Sequence, residues 1–322
     1  MEGGNGNLKR LFSIILCINM LFLTGCKKNY TEVRDREYVQ SAVFKDNGGT
    51  SLALYPFEEE GMVSYGNGVN ISDALENASV LAGHEIFMGH LELLCFDRTD
   101  FADELERCLF DYRISPSCRL IYLYNTQLPE DCDTTLLTDR IEMEEEKGHI
   151  PKTDLFHVLS EMSVRDETAL VPAAAERGLV MCILKKGGSP YILSERAAEG
   201  LCWLRGENYP EKVYIKGNNG TEAYEIDSAR TEISVRIEKG IPHAEVKIRI
   251  KGRGNGQAAE SVITALCKDT ERETLKRAKA DVIGFGKYLA RDCPEYYGAN
   301  DFETAKWAAV FEYDVEAEQN QK

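Results

Sequence analysis

The chain has 322 residues and carries 38 Lys+Arg against 54 Asp+Glu, which gives a formal net charge of −16 at pH 7. This acidic balance argues against non-specific nucleic-acid binding, because such binding needs clustered basic side chains that displace counterions. An apolar content of 43% and a charged content of 29% are typical of a globular protein, and the length predicts two domains or three small ones.

The N-terminus has the pattern of an export signal. Lys9 and Arg10 precede an apolar run from Leu11 to Leu23. The run is too short to cross a bilayer, which needs about 20 residues. A short apolar stretch that ends in small residues is instead typical of a secretory signal peptide.

The export signal ends in Leu23–Cys26, with the sequence Leu-Thr-Gly-Cys, which resembles the lipobox of bacterial lipoproteins. We predict a signal peptide at residues 1–25, cleavage between Gly25 and Cys26, and a diacylglyceryl group on the Cys26 sulfur. Residues 26–35 would then form the lipidated N-terminus and a polar linker. Two acyl chains hold a protein stably on a membrane, whereas one gives only reversible binding. The alternatives are a plain signal peptide with an incidental Cys26 and an uncleaved anchor.

Residues 36–198 are predicted to form an N-terminal α+β region of one or two subdomains. The turn signal Asp46–Gly49 joins the first two strands into a hairpin, and Ser72 is the expected N-cap of the first helix. The predicted strands are Glu37–Lys45, Ser51–Phe57, Ile86–Phe96, Arg119–Tyr124, Leu179–Leu184 and Tyr191–Ser194, of which the last two form a hairpin. The predicted helices are Ser72–Ala82, Asp100–Phe110, Thr134–Glu146 and Leu155–Met162.

Residues 199–322 are predicted to form a C-terminal α+β domain, which Arg196–Gly200 joins to the first region. A long helix over Gln257–Arg291 and a final strand over Trp307–Val315 follow a block of strands. That block comprises Leu201–Arg205, Lys212–Lys216, Glu222–Asp227, Ala229–Ile237 and Ala244–Ile250.

Alternation within this block gives one apolar and one charged face, which is typical of an antiparallel sheet covered on one side. The basic residues of the charged face are Lys247, Arg249, Lys251 and Arg253. Strand blocks followed by a long helix predict an α+β fold. We expect two to three subdomains of mostly antiparallel sheets with packed helices, ending in a C-terminal sheet plus a long helix.

Cysteines are frequent, and an exported chain could join them in disulfides. The chain is long enough to bury a core without such crosslinks, and several cysteines lie in apolar runs such as Leu93–Phe96 and Met181–Ile183. Free buried thiols are therefore favoured. No Cys-x-x-Cys pair occurs, which excludes zinc-ribbon and thioredoxin-like motifs. The cysteines after Cys26 are Cys95, Cys108, Cys118, Cys132, Cys182, Cys202, Cys267 and Cys293.

The sequence offers no motif for catalysis, metal binding or a cofactor. His84-Glu85 lacks the second histidine of a metalloprotease helix, and no Gly-x-Ser-x-Gly elbow occurs. Gly252–Gly256 hints at a phosphate cradle before a helix. A flexible loop is the better interpretation, because a dinucleotide site needs an alternating β/α fold. We therefore expect no enzyme activity, no metal site and no cofactor.

Three stretches of sequence occur in a distinctive order along nearly the whole chain. They are Leu23–Cys26 with Glu32–Val39, then Ser72–Ile86, and then a C-terminal block made of Ala280–Tyr288, Cys293–Tyr297 and Trp307–Phe311. This order resembles the Ger(x)C family, the lipoprotein C subunits of bacterial spore germinant receptors.

The resemblance implies a protein of α+β subdomains without known catalysis. Such a protein acts beside a multi-span A subunit and a transporter-like B subunit in the spore inner membrane, in a complex that responds to small nutrients. Within the C-terminal block we expect structural roles. Asp281 would cap or pair, Phe285 and Trp307 would lie in the core, and Gly284 and Gly286 would allow close helix packing.

Three hypotheses of function follow. The first is a lipid-tethered, non-enzymatic germinant receptor subunit on the outer face of the spore inner membrane of a Gram-positive spore former, needed for nutrient-triggered germination. The second is an extracytoplasmic solute-binding lipoprotein, which would need a deep cleft between two lobes. The α/β alternation usual for such binders is missing. The third, an exported enzyme, is disfavoured because no site signature occurs.

Overall fold

The computed structural model describes residues 36–46, 48–57, 63–97, 100–124, 134–147, 150–164, 167–175, 178–207, 209–217, 220–299 and 302–319. Within these ranges the chain forms two β-sheets and nine α-helices. The predicted α+β class is confirmed.

The first sheet contains nine strands. They are β1 (Arg36–Asp46), β2 (Thr50–Pro56), β3 (Ser64–Gly68), β4 (Glu85–Phe87), β5 (Leu93–Phe96), β6 (Arg119–Leu123), β7 (Thr168–Ala175), β8 (Gly178–Lys185) and β9 (Tyr191–Ile192). Their order is β3-β2-β1-β5-β6-β7-β8-β9, with the short β4 beside the start of β1.

The centre of this sheet is parallel and its margins are antiparallel. The central strands β1, β5, β6 and β7 run in one direction, with Val43 opposite Cys95 and Cys95 opposite Ile121. The predicted β1–β2 and β8–β9 hairpins are confirmed. The parallel centre and β7 were not predicted, because a short run such as Leu93–Phe96 is buried on both faces and shows no alternation.

Four helices pack on the first sheet. They are α1 (Ile71–Ala82), α2 (Leu105–Phe110), α3 (Thr134–Glu146) and α4 (Leu155–Val164), and a 3₁₀ turn at Phe101–Asp103 precedes α2. Successive strand residues point to opposite faces. Leu94 therefore packs with α1, α2 and α4, whereas Leu93 lies on the other face with Ile141 of α3.

The predicted cap of α1 is wrong by two residues. The Asn70 side chain, not that of Ser72, accepts a hydrogen bond from the Asp73 backbone N–H at 3.0 Å. Asn70 has the extended backbone of an N-cap, so the helix begins one residue before Ser72.

The second sheet has four strands in chain order. They are β10 (Lys212–Gly217), β11 (Gly220–Glu238), β12 (Ile241–Arg253) and β13 (Val310–Gln319). The strands predicted at Glu222–Asp227 and Ala229–Ile237 form one long strand, β11, with a register shift between Ile226 and Ser228. The last strand lies parallel to β12, so the chain must cross over between them.

Five helices complete the fold. They are α5 (Glu195–Arg205), α6 (Gly256–Glu271), α7 (Phe285–Asp292), α8 (Pro294–Ala299) and α9 (Phe302–Ala308). Ile263 of α6 packs on Val246 and Ile248 of the second sheet, in a core that continues through Trp203 of α5 to Ile121 of the first sheet. The two sheets thus share one apolar core.

The strand predicted at Leu201–Arg205 is wrong, because these residues lie within α5, which also contains the predicted joint Arg196–Gly200. The Ser194 hydroxyl caps this helix by accepting from the Ala197 N–H at 3.3 Å. Leu201, Cys202, Trp203 and Leu204 are all buried, so the run shows no helical period. The predicted domain boundary between residues 198 and 199 falls inside α5, and the division into domains stays a prediction.

The long helix predicted at Gln257–Arg291 is interrupted. After α6 the chain widens into a π-helical turn at Arg272–Ala278, and α7 begins only at Phe285. Lys279 and Gly284 both have positive φ, 51° and 82°, which breaks the helix between them.

Two predicted strands are shorter than expected. Ile86–Phe96 divides into β4 and β5, with a turn at Gly89 and His90 between them. Trp307 lies on α9 rather than on the final strand, which starts at Val310.

Candidate functional site

The predicted lipidation site Cys26, the signal peptide and the linker lie outside the described residues. The cleavage between Gly25 and Cys26 therefore stays a prediction. Across the ranges that the structure covers, no helix has both the length and the apolarity needed to cross a bilayer.

Asp281 of the C-terminal block caps helix α7. Its side chain is 3% exposed, and its two carboxylate oxygens accept hydrogen bonds from the backbone N–H groups of Phe285 at 2.7 Å and Gly286 at 2.6 Å. Gly284 has φ 82°, a left-handed conformation that lets the chain turn from Asp281 into the helix. The capping role expected of Asp281 is confirmed.

Phe285 and Trp307, two aromatic residues of the block, have packing roles. Phe285 is fully buried with Leu289, Val235 and Ala309. Trp307 is half-buried, and the Nζ atoms of Lys306 and Lys279 lie 5.0 and 5.8 Å from the centre of its ring. Cation–π contacts of this kind stabilise the fold by about 0.5–2 kcal/mol each, depending on desolvation.

A polar cluster lies where α6 widens into the π-helical turn. The Lys276 ammonium donates to the carbonyl oxygens of Trp307 at 3.1 Å and Ala309 at 2.5 Å, and it lies 3.8 Å from the Glu271 carboxylate. The Tyr313 hydroxyl of β13 donates to Glu271 Oε2 at 3.0 Å. We call Glu271, Lys276 and Tyr313 the EKY cluster.

Burial sets the ionisation of the EKY cluster. It raises the pKa of Glu271 and lowers the pKa of Lys276, since each charged form loses water. Burial and then the neighbouring Glu271 raise the pKa of Tyr313, so its hydroxyl stays protonated and donates. Each of the three groups is bound to another or to the main chain. The cluster therefore fastens α6 to α9 and β13.

The EKY cluster has no signature in the sequence. Glu271 and Lys276 are five residues apart, a spacing that places them on different faces of an α-helix. A π-helical turn bonds residue i to i+5 and brings both side chains to one side. Because the sequence predicts a regular α-helix here, it does not predict a contact between Glu271 and Lys276.

Three of the described histidines have different partners. His157 Nδ1 is 2.6 Å from Asp154, and His243 lies 3.7 Å from Glu238. The His90 ring is tilted against Tyr38 and meets Phe87 edge-on, with ring centres 5.8 and 5.5 Å apart. Among the residues that the structure describes, no group of three His, Cys, Asp or Glu side chains is placed to hold a metal ion.

Comparison with known proteins identifies the C-terminal region. Residues 181–320 match the sequence family described as "Spore germination B3/ GerAC like, C-terminal". Because of this similarity, we refer to residues 181–320 as the GerAC-like domain. The match confirms the predicted resemblance, and it covers the C-terminal block together with the EKY cluster.

A solved structure extends the likeness to most of the chain. The crystal structure of the GerBC protein superimposes with a TM-score of 0.60 at 14% sequence identity, over 86% of this chain and 95% of that chain. At this identity the likeness establishes the fold alone. A comparison with curated proteins gave no significant match.

The charged face of the GerAC-like domain is neutralised by its own side chains. Each basic residue of β12 singled out above pairs with an acidic neighbour. The pairs are Lys247–Glu245 at 2.9 Å, Arg249–Glu316 at 2.9 Å, Arg249–Asp314 at 3.2 Å, Lys251–Glu318 at 3.0 Å and Arg253–Glu225 at 3.0 Å. The prediction of a solvated sheet face is confirmed, and the stripe leaves no excess positive charge for nucleic acid.

The described cysteines are thiols and do not form disulfides, as predicted. They are Cys95, Cys108, Cys118, Cys182, Cys202, Cys267 and Cys293, and all but the last are buried. Burial raises the pKa of the Cys202 thiol to about 12, which keeps it protonated and unreactive. Cys132 lies outside the described residues.

Proposed function

We propose that the protein is a lipid-tethered, non-enzymatic subunit of a spore germinant receptor. It is held on the outer face of the spore inner membrane beside the A and B membrane subunits, and nutrient-triggered germination depends on it. The main support is the match of residues 181–320 to a spore germination family within a chain of GerBC-like fold.

The tether is a diacylglyceryl group on Cys26. Its support is the lipobox-like Leu23–Cys26 motif behind a short apolar run. The formal charge of −16 makes the tether necessary, because an anionic leaflet repels such a chain. Each buried methylene of the two acyl chains contributes about 0.8 kcal/mol, enough for stable attachment.

Cys26→Ala tests this proposal in spores whose only copy carries the change. We expect the protein to move from the membrane to the soluble fraction, and germination through this receptor to be delayed. Cys293→Ala is the matched control, since it removes a partly exposed thiol from the folded region. Normal germination by Cys26→Ala spores, with an unmodified Cys26 in the wild-type protein by mass spectrometry, would contradict the proposal.

The partners are tested by copurification from wild-type spore membranes, followed by mass spectrometry. We expect the A and B subunits to be recovered with the wild-type chain and to be lost with Cys26→Ala. Recovery of the chain without either subunit would count against membership in a receptor complex.

The alternative of a solute-binding lipoprotein gains no support from the described pocket between α2, α4 and the end of β8. Its volume is about 190 Å³, below the roughly 300–1,000 Å³ of typical ligand sites. Its lining includes Asp103, Met162 and Lys186. We expect calorimetry with candidate nutrients to detect no tight binding to the purified chain.

A further inference from the structure

The N-terminal chain limits which part of the folded body can lie against a membrane. Between Cys26 and Arg36, where β1 begins, a fully extended chain reaches at most about 35 Å. A folded body of this size has a radius of gyration of about 19 Å and hence a diameter of about 50 Å. If Cys26 is embedded in the bilayer, as the proposed function requires, the side of the body farthest from Arg36 cannot face the membrane.

Several elements meet where β1 begins. Arg36 and Tyr38 pair with Glu85 and Phe87 of β4, and the Phe57 N–H, just after β2, donates to the Tyr38 oxygen at 3.3 Å. We call this end of the first sheet, where Arg36, Tyr38, Phe57, Glu85 and Phe87 lie, the tether-entry edge.

Helix α1 ends at the tether-entry edge. It packs so closely on β3 that a Cβ at Gly66 would lie 2.0 Å from the Ala74 oxygen and 2.9 Å from Ala78 Cβ. The end of β3, Gly68, faces Asp73, so α1 runs antiparallel to β3. The last turn of α1 therefore lies beside the start of β3, and the helix also contacts β4.

This last turn exposes two large apolar side chains. Val80 is 73% exposed and Leu81 is 69% exposed, and Phe57 nearby is 43% exposed. Arg36 and Glu85, 3.6 Å apart, neutralise each other at the same edge. Exposed apolar and aromatic side chains of this kind fit the interface between lipid headgroups and acyl chains.

We propose that Val80, Leu81 and Phe57 form a membrane-contacting surface that inserts into the headgroup region beside the acylated Cys26. The tether holds the chain on the bilayer, and the tether-entry edge sets its orientation. The carboxyl ends of the parallel strands, at the opposite edge, then face away from the bilayer.

The test uses the acylated full chain reconstituted in vesicles of phosphatidylglycerol and phosphatidylethanolamine that contain nitroxide-labelled lipid. Leu81→Cys receives an environment-sensitive fluorophore, and the wild-type chain labelled in parallel gives the background from native thiols. The matched control is Leu136→Cys, because Leu136 is 66% exposed on α3. Helix α3 packs on the face of the first sheet opposite to α1, and Leu136 lies about 13 Å along α3 from Glu145, which pairs with Arg119 at the start of β6.

We expect quenching by the lipid nitroxide to be about threefold greater at position 81 than at position 136, since an interfacial side chain lies within roughly 5–10 Å of the acyl chains. Equal quenching at both positions on a chain whose Cys26 is acylated overturns the orientation and leaves the tether intact. A label at position 81 that is shielded only in native spore membranes assigns the surface to a protein partner and overturns the lipid contact. Mass spectrometry of the same preparation that finds no acyl chain on Cys26 overturns the proposed tether and the orientation with it.

Discussion

Replacing Asp281 by alanine would remove the cap of α7 from inside the protein. Two backbone N–H groups, of Phe285 and Gly286, lose their carboxylate acceptors. A lost N-cap alone costs about 1 kcal/mol, and each hydrogen bond to a charged acceptor contributes about 1.5–3 kcal/mol. Because Asp281 is 3% exposed, water cannot fully replace it. We therefore expect Asp281→Ala to lower the free energy of unfolding by about 3 kcal/mol.

Thermal unfolding followed by circular dichroism measures this loss. For a chain of this size 1 kcal/mol lowers Tm by about 2 °C, so Asp281→Ala should melt about 6 °C lower. Asp281→Asn keeps one acceptor and should lose about half as much. Asp73→Asn, at an exposed carboxylate in the first turn of α1, is the control and should melt within about 1 °C of wild type. If the Tm of Asp281→Ala equals that of Asp73→Asn, Asp281 does not stabilise the protein as a helix cap.

Two further substitutions test the electrostatics and packing of the fold. The hydrogen bond from Arg291 lowers the pKa of Asp292, so its stabilising contribution is present above the unfolded-state pKa and is lost as pH falls through the lower folded-state value. Asp292→Asn should therefore be less stable than wild type at pH 7, and the denaturant midpoints of the two proteins should converge as pH falls below the ordinary aspartate pKa of about 3.9; a constant difference would contradict this. Gly200→Ala should destabilise by about 1–3 kcal/mol, because the new Cβ would lie 2.3 Å from the Leu266 oxygen. Glu199→Ala is its exposed control, and a stabilised Gly200→Ala chain would show that α5 can move away.

The strands with alternating polar and apolar residues were predictable from the sequence, because one face of each strand is exposed to solvent and the other is buried. The apolar side chains of β12 face α6 and its charged ones face solvent, which gives a period of two. Where a helix or strand is buried on all sides, its sequence no longer alternates between polar and apolar residues. For this reason the sequence of Leu201–Leu204 predicts a strand, although the segment lies in α5. For the same reason the parallel strand Leu93–Phe96 shows no alternation of polar and apolar residues.

The candidate site was predictable only where the chemistry is local. The cap by Asp281 involves residues four and five positions ahead, within reach of a sequence argument. The EKY cluster depends on a π-helical turn and on Tyr313, which is 42 residues from Glu271 along the chain. Hydrogen bonds between residues so distant in sequence depend on the tertiary fold, and the spacing of residues along the chain does not predict them.

The C-terminal block lies within the region that matches the spore germination family, and three of its residues act inside the protein. Asp281 caps a helix, Phe285 fills the core, and the main chain at Trp307 accepts from Lys276. These residues stabilise the fold, because their polar and apolar groups bond or pack within the protein. If the chain assembles with A and B subunits as proposed, these three residues are not available for the contacts, and other side chains would make them, such as those of the tether-entry edge. A germination defect caused by Asp281→Ala would accordingly track the amount of folded protein, whereas one caused by Cys26→Ala would not.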